Sequence, residues 1–130
     1  MKQTKFFMET LFNSKTIFSI MVILSLLLVG CSSSAEVDDF ATCLTENGAL
    51  MYGAFWCPHC IAQKNLFGKS FNRVTYIECS LPDGQGQTEF CTQMGIESYP
   101  TWEFANEERI TGELTFTELA EKSGCPLLTR

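Results

Sequence analysis

Apolar residues occur along this chain in short blocks that are separated by turn-forming residues. Four blocks have the length and the apolar, β-branched or aromatic content of strands, and they cover residues 49–55, 74–79, 101–104 and 109–111. Helices are predicted at 58–67 and 87–94. Thr115 predicts the start of a last helix, because Glu118 three residues later completes a capping box. The sequence therefore predicts the order β-α-β-α-β-β-α.

One further helix is predicted before the first strand. Asp38 or Asp39 is a suitable N-cap residue for it. The helix would contain Phe40, Cys43 and Leu44. The pair Asn47 and Gly48 would end it, since both residue types tolerate the left-handed backbone conformation. Residues 32–35 are expected to form a short polar linker before it.

The first 30 residues have the pattern of an export signal. Residues 1–15 carry three lysines, and residues 16–30 are almost wholly apolar or small. The apolar run is shorter than the ~20 residues that a membrane-spanning helix needs. It ends in Leu-Val-Gly-Cys at 28–31, which resembles the lipobox of bacterial lipoproteins, where a signal peptidase cuts before the cysteine and the thiol carries a lipid.

These features predict the domain organisation and the location. Residues 1–30 are expected to be a lipoprotein signal peptide, 31–38 a tether and 39–130 a single folded domain. The lipobox resemblance implies that Cys31 is lipidated, so that the domain is exported and held at a membrane, facing the periplasm or the cell exterior. The alternative is an uncleaved short anchor with an incidental cysteine, which also places the domain at the outer side of a membrane.

Charge and cysteine content restrict the function classes of this domain. The chain has 130 residues and a net charge of −6. Because residues 1–30 hold three lysines and one glutamate, the remainder carries a net charge of −8. An acidic domain lacks the basic face that nucleic-acid binding requires, so no nucleic-acid partner is expected. Seven cysteines in an exported protein indicate disulfides rather than metal sites.

The chemistry of the chain is concentrated in residues 56–60, Trp-Cys-Pro-His-Cys, directly after the first strand. Pro58 suits the first position of a helix, where a missing N–H costs nothing. Cys57 therefore lies at a helix N-terminus, where free N–H groups and the helix dipole favour its thiolate. His59, as a cation, would stabilise this thiolate further. Cys60 follows one turn later and can close a disulfide with Cys57, as thiol–disulfide exchange requires.

Residues 56–60 resemble the active site of the thioredoxin superfamily, and their Pro-His pair resembles that of strongly oxidising periplasmic members. Residues 95–101, Gly-Ile-Glu-Ser-Tyr-Pro-Thr, are similar to the thioredoxin segment whose cis proline faces the active site. More closely, residues 40–125 resemble the thioredoxin-like domain that is fused to bacterial vitamin K epoxide reductase homologues. The segments that carry this match are 43–45, 51–56 and 99–102.

The resemblance implies a thioredoxin-like α/β fold, with a central mixed sheet of about four strands, flanking helices and an extra N-terminal helix. It implies a thiol–disulfide oxidoreductase whose catalytic residues are Cys57, Cys60, His59 and Pro58. The substrate-binding residues would be Trp56, Tyr99 and Pro100, with a cis bond before the proline. The implied partners are protein thiols and a membrane protein like vitamin K epoxide reductase, linked to quinone, that reoxidises the domain. No cofactor and no metal are expected.

One position departs from the thioredoxin pattern. Thioredoxin has a buried aspartate six residues before the first active-site cysteine, and it helps to deprotonate the second cysteine. Here that position is Met51. Proton transfer from Cys60 therefore has to use water, another group or a partner. The departure fits a protein that donates disulfides.

The remaining four cysteines after Cys31 allow three pairings. Cys79 and Cys91 lie on either side of a Pro/Gly-rich loop, so a bond between them would be local. A Cys43–Cys125 bond would then tie the N-terminal helix to the C-terminus. The family resemblance also implies two structural disulfides. The alternative is one or more free buried thiols.

Two other functions remain open from the sequence. One is a thiol reductase that serves a single client, because the sequence does not encode the direction of electron flow. The other is a metal carrier. A zinc site needs four ligands, yet the chain has no second Cys-x-x-Cys and His59 is its only histidine. Two thiolates suit Cu(I) better, although copper carriers with this fold resemble Cys-x-x-x-Cys with a distant histidine ligand, which this chain lacks.

Overall fold

The computed structural model of this protein describes residues 32–126. Its helices are α1 (Ser32–Glu46), α2 (Pro58–Phe67), α3 (Glu89–Gln93) and α4 (Phe116–Ser123), and a 3₁₀ helix covers Gly68–Arg73. Its strands are β1 (Leu50–Gly53), β2 (Thr75–Glu78), β3 (Thr101–Glu103) and β4 (Arg109–Thr111). The expected signal peptide at 1–30 and the lipidation site Cys31 lie outside the described residues. The predicted order of elements is confirmed.

The four strands form one mixed sheet in the order β2-β1-β3-β4. β1 pairs in parallel with β2 and antiparallel with β3, and β3 pairs antiparallel with β4. Because β1 has neighbours on both sides, its backbone is held by two ladders. The chain leaves this central strand at Gly53 and enters α2 five residues later, at Pro58, so the sheet fixes where the Cys57 segment begins.

Side chains alternate across the sheet, and each face buries its own cluster. Met51 of β1 and its register partner Trp102 of β3 lie in the cluster that α1, α2 and α4 complete. Tyr52 points to the other face, where it packs with Ile96 and the Cys79–Cys91 bond. Each fully buried large side chain contributes roughly 1.5–3 kcal/mol to folding. Helix α2, which follows Cys57, therefore packs on the larger of the two clusters.

The first helix begins earlier than expected. α1 starts at Ser32, so the prediction of a start at Asp38 or Asp39 after a polar linker is wrong. The physical reason is the spacing of apolar residues: Val37, Phe40, Ala41 and Leu44 recur at the interval of a helical face, and all four pack in the main cluster. Residues 32–38 are therefore helical rather than an extended tether, while the boundary at residue 39 stays a prediction.

Two disulfides connect distant parts of this architecture. Cys43 of α1 is bonded to Cys125, 82 residues further along, and Cys79 after β2 is bonded to Cys91 of α3, 12 residues further along. Their Cα–Cα distances are 6.0 and 5.6 Å, within the usual range. No helix within residues 32–126 has the length and apolar character needed to cross a membrane.

Candidate active site

Cys57 is the N-cap residue of α2, and Pro58 is the first residue of the helix. The Cys60 N–H donates to Cys57 Sγ at 3.4 Å, so the sulfur takes the role that a serine or aspartate oxygen has in most N-caps. Cys57 Sγ also lies 3.6 Å from the carbonyl oxygen of Tyr99. The helix dipole makes this position favourable for a negative charge. The geometry predicted for the first cysteine is therefore present.

The two thiols differ in access. Cys57 is 5 % exposed and Cys60 is 0 % exposed, so Cys57 is the sulfur that a protein substrate can reach. Burial raises the pKa of the Cys60 thiol to about 12, although a hydrogen bond from the Ala54 backbone acts in the opposite direction. At neutral pH Cys60 is a thiol. It has to lose its proton in any step in which it attacks a disulfide.

His59 lies on the exposed side of the first turn of α2. Its Nδ1 is 2.7 Å from Oε1 of Glu113, in the loop between β4 and α4. Glu113 could not be predicted from the sequence, because 54 residues separate it from His59 and no local pattern links them. This contact gives the imidazole a fixed orientation at the mouth of the site.

Gln63 holds the loop that contains Glu113 in place, and its role was likewise not predicted from the sequence. Its buried side chain donates to the Leu114 carbonyl at 3.0 Å and accepts from the Leu114 N–H at 2.6 Å. It also accepts from the Trp102 indole N–H at 3.4 Å. A signal for it existed, since Gln63 lies at helical spacing between the buried residues Cys60 and Phe67.

The expected substrate-binding residues lie beside Cys57. The Tyr99–Pro100 bond is cis, and the Pro100 ring is buried. The Trp56 ring is 51 % exposed, packs edge-on against Tyr99 with 6.2 Å between ring centroids, and donates its indole N–H to Ser80 Oγ at 2.8 Å. A half-exposed ring and a backbone carbonyl therefore flank the reachable thiol.

The described residues offer few side chains that are grouped as metal ligands. His59 directs Nδ1 to Glu113. Within the part of the chain that the structure describes, no group of three or more His, Cys, Asp or Glu side chains is placed to hold a metal ion. The geometry therefore adds no observation in favour of the copper-carrier alternative.

No protein-family model matches the chain. Among curated proteins, the chain is similar to the thiol-disulfide oxidoreductase LTO1 of Arabidopsis thaliana, with 39 % identity over 104 residues. The fold is thioredoxin-like. This assignment rests on that similarity together with the mixed four-stranded sheet, its flanking helices and the cysteine pair at the start of α2, and it confirms the predicted fold class. The match covers 76 % of this chain but 27 % of the relative, so the chain spans about a quarter of that protein's length.

Proposed function

We propose that this protein is a membrane-anchored, extracytoplasmic thiol:disulfide oxidoreductase that passes a Cys57–Cys60 disulfide to protein thiols. The observation that carries the proposal is the pair of thiols itself. Cys57 caps the N-terminus of α2 within reach of solvent, and Cys60 is buried one turn later. The name of the Arabidopsis relative, a thiol-disulfide oxidoreductase, supports the same chemistry.

The proposed reaction transfers two electrons from the substrate. A substrate thiolate attacks Cys57 Sγ of the disulfide, which forms a mixed disulfide and releases the Cys60 sulfur. A second substrate thiolate then attacks the substrate sulfur of the mixed disulfide and releases Cys57. The substrate leaves with a disulfide, and the protein is left as a dithiol. Pro58 and His59 adjust the equilibrium, since they lie where they affect the Cys57 thiolate.

The substrate segment is proposed to bind in extended form beside Cys57. The Tyr99 carbonyl, 3.6 Å from Cys57 Sγ, marks the backbone that such a segment would pair with, as in strand addition. Phe55 and Trp56 are about half exposed next to the thiol and supply apolar contact area. Their lack of charge suits many different clients, because specificity would come from backbone pairing rather than from charge recognition.

A disulfide donor has to be reoxidised after each turnover. We propose a membrane partner like vitamin K epoxide reductase, which would pass the electrons to quinone. The support is the resemblance of residues 40–125 to the domain fused to such enzymes. A lipid on Cys31, which would hold the domain at the same membrane, is supported by the lipobox-like residues 28–31.

The lipid anchor has a direct test. The intact mass of protein extracted from membranes should correspond to residues 31–130 plus acyl groups. A matched Cys31→Ser variant should lose the acyl mass. If this variant is still cleaved, it should also leave the membrane fraction. An unmodified chain that begins at Met1 in the wild-type protein would refute the anchor.

The oxidant direction is tested by the reduction potential. We expect a value clearly above thioredoxin's ~−270 mV and nearer the ~−120 to −180 mV of dedicated oxidants and isomerases. The potential is obtained by equilibration with glutathione buffers, and thiol alkylation in cells reports the redox state of Cys57 and Cys60. A potential at or below ~−270 mV, with the pair reduced in cells, would overturn the oxidant direction and favour a client-specific reductase.

A further inference from the structure

Cys60 needs a proton acceptor that the strand before the site does not supply. When Cys60 attacks a mixed disulfide on Cys57, its thiol proton has to leave a fully buried position. Met51, which lies on the same face of the sheet, is fully buried and apolar. The acceptor therefore has to come from another element.

At the end of β1, Gly53 allows Cys60 and Tyr76 of β2 to approach each other closely. A Cβ atom built on Gly53 would lie 3.0 Å from Cys60 Sγ and 3.1 Å from the Tyr76 hydroxyl oxygen. The sulfur and the hydroxyl thus lie close to one common point. A proton can pass between groups so placed through one water molecule. A side chain at position 53 would collide with both groups, so glycine is required for Cys60 and Tyr76 to come this close to the end of β1.

The Tyr76 hydroxyl leads to a fixed carboxylate. It donates to Glu78 Oε2 at 2.9 Å, while Glu78 Oε1 accepts from the backbone N–H groups of Phe55 at 3.2 Å and Ser80 at 2.9 Å. Glu78 is the register partner of Gly53, which places it beside the segment that leads to Cys57. Three donors hold its orientation, and a carboxylate is a competent proton acceptor.

We propose that Tyr76 and Glu78 form a proton relay that accepts the Cys60 proton when Cys60 resolves a mixed disulfide on Cys57. The inference rests on the proposed function and names groups that serve it. In the step, Cys60 Sγ bonds to Cys57 Sγ, and the bond from Cys57 Sγ to the partner sulfur breaks, which releases a partner thiolate. The Cys60 proton passes to the Tyr76 oxygen as the Tyr76 proton passes to Glu78. In the reverse step the same groups return the proton to Cys60.

Several titratable groups lie around Cys60 and Tyr76. They are Cys57 and Lys64 of α2, Tyr76 and Glu78 of β2, and Tyr99 before β3. Lys64 Nζ lies 3.6 Å above the centre of the Tyr76 ring. As an ammonium group it cannot accept a proton, but its charge favours negative charge on its neighbours. Among these groups, Glu78 is thus the carboxylate that can accept the proton.

The relay is tested by separating the two steps of disulfide exchange with glutathione disulfide as the probe. Reduced protein is mixed with it, quenched in acid, and the Cys57–glutathione adduct is followed by mass. Formation of the adduct is measured alone in a Cys60→Ser background. Glu78→Gln and Tyr76→Phe should slow resolution by Cys60 at least about tenfold at pH 7 and leave adduct formation nearly unchanged. The deficit should shrink as the pH rises, because hydroxide replaces the acceptor.

Matched controls exist on the other face of the sheet. The Tyr52 hydroxyl donates to Glu103 in the same manner, but Tyr52 lies in the cluster away from Cys60. Tyr52→Phe and Glu103→Gln should leave resolution unchanged. If Glu78→Gln does not fold, Tyr76→Phe still decides, because it keeps the ring beneath Lys64.

The possible outcomes distinguish the relay from the function it serves. Resolution at the wild-type rate and pH profile in both relay variants would overturn the relay alone. Equal slowing of adduct formation and resolution would also overturn it, since that result indicates a general disturbance of the site. A Cys60→Ser protein, in which the adduct could not be resolved, would overturn the proposed function and the relay together if it formed no adduct at Cys57.

Discussion

The two cysteines at the start of α2 have different roles, because their surroundings differ. Cys57 caps the helix and is reachable, whereas Cys60 is sealed beneath it and keeps its proton at neutral pH. A slightly exposed Cys57 and a fully buried, protonated Cys60 give an ordered exchange, because Cys57 is the sulfur that the partner can reach. The exposed imidazole of His59 lies at the mouth of the site, where Glu113 holds it.

His59→Leu should lower the reduction potential. The imidazolium stabilises the Cys57 thiolate, which exists only in the reduced form, so its removal favours the disulfide. The His59 side chain is 69 % exposed, and solvent screens the interaction. We therefore expect a change of a few-fold in the equilibrium constant with glutathione, well below the tenfold change that corresponds to ~30 mV.

Lys122→Met is the control for this substitution. Lys122 also pairs with a carboxylate, that of Glu108, but it lies in the last turn of α4. Its loss should leave the equilibrium constant with glutathione unchanged. Equal constants for the wild-type protein and His59→Leu would contradict the electrostatic role of the histidine.

At the scale of elements, local signals predicted where the helices begin. Pro58 marked the start of α2 because its fixed φ and missing N–H suit the first helical position. Thr115 and Glu118 marked the start of α4 because both bond to the first turn of that helix. β1 is shorter than the predicted 49–55, since the chain turns after Ala54, whose carbonyl accepts from the Cys57 N–H at 3.0 Å. An apolar run does not reveal where such a turn begins.

Contacts between elements that are distant in the chain could not be predicted in the same way. The Gln63 clamp and the His59–Glu113 pair form only when α2 and the loop before α4 meet in space. The bond from the Phe55 N–H to Glu78 likewise needs β1 and β2 in register, whereas the bond from Tyr76 to Glu78 is local to β2. Sequence spacing identified the two cysteines, and three-dimensional packing supplied the groups that surround them.

The two disulfides should differ in their effect on stability. The Cys79→Ala, Cys91→Ala double variant removes a bond across 12 residues, and the Cys43→Ala, Cys125→Ala double variant removes one across 82 residues. In the chain-entropy model the losses are roughly 3 and 4–5 kcal/mol, because the longer loop restricts the unfolded chain more.

Urea unfolding of both double variants measures these losses. Cys57→Ser and Cys60→Ser are included in every protein, the reference included, so that no free thiol exchanges with the remaining bond. Equal unfolding free energies for a double variant and the reference would contradict a stabilising role for the missing bond.

At the scale of the whole molecule, the reduced and oxidised proteins have different responses to pH. Folding raises the pKa of Cys60 from its ordinary value of 9.0 to about 12, mainly through burial. The folded reduced protein thus holds this proton more tightly than the unfolded chain does. The resulting stabilisation is fully present below pH 9 and is lost as the pH rises through about 12. The oxidised protein has no Cys60 proton to lose.

The reduced wild-type protein should therefore lose stability more steeply than a Cys60→Ser variant between pH 9 and 11. The difference in the free energy of unfolding should approach about 1.4 kcal/mol per pH unit, the value for one proton taken up differently by two states. Urea unfolding under reducing conditions at successive pH values measures it. Burial also raises the pKa of Tyr52, Tyr76 and Tyr99, but these residues are present in both proteins, so the comparison isolates Cys60. Parallel stability curves for the two proteins would mean that Cys60 ionises in the folded protein as freely as in the unfolded chain, and would contradict the raised pKa of the buried thiol.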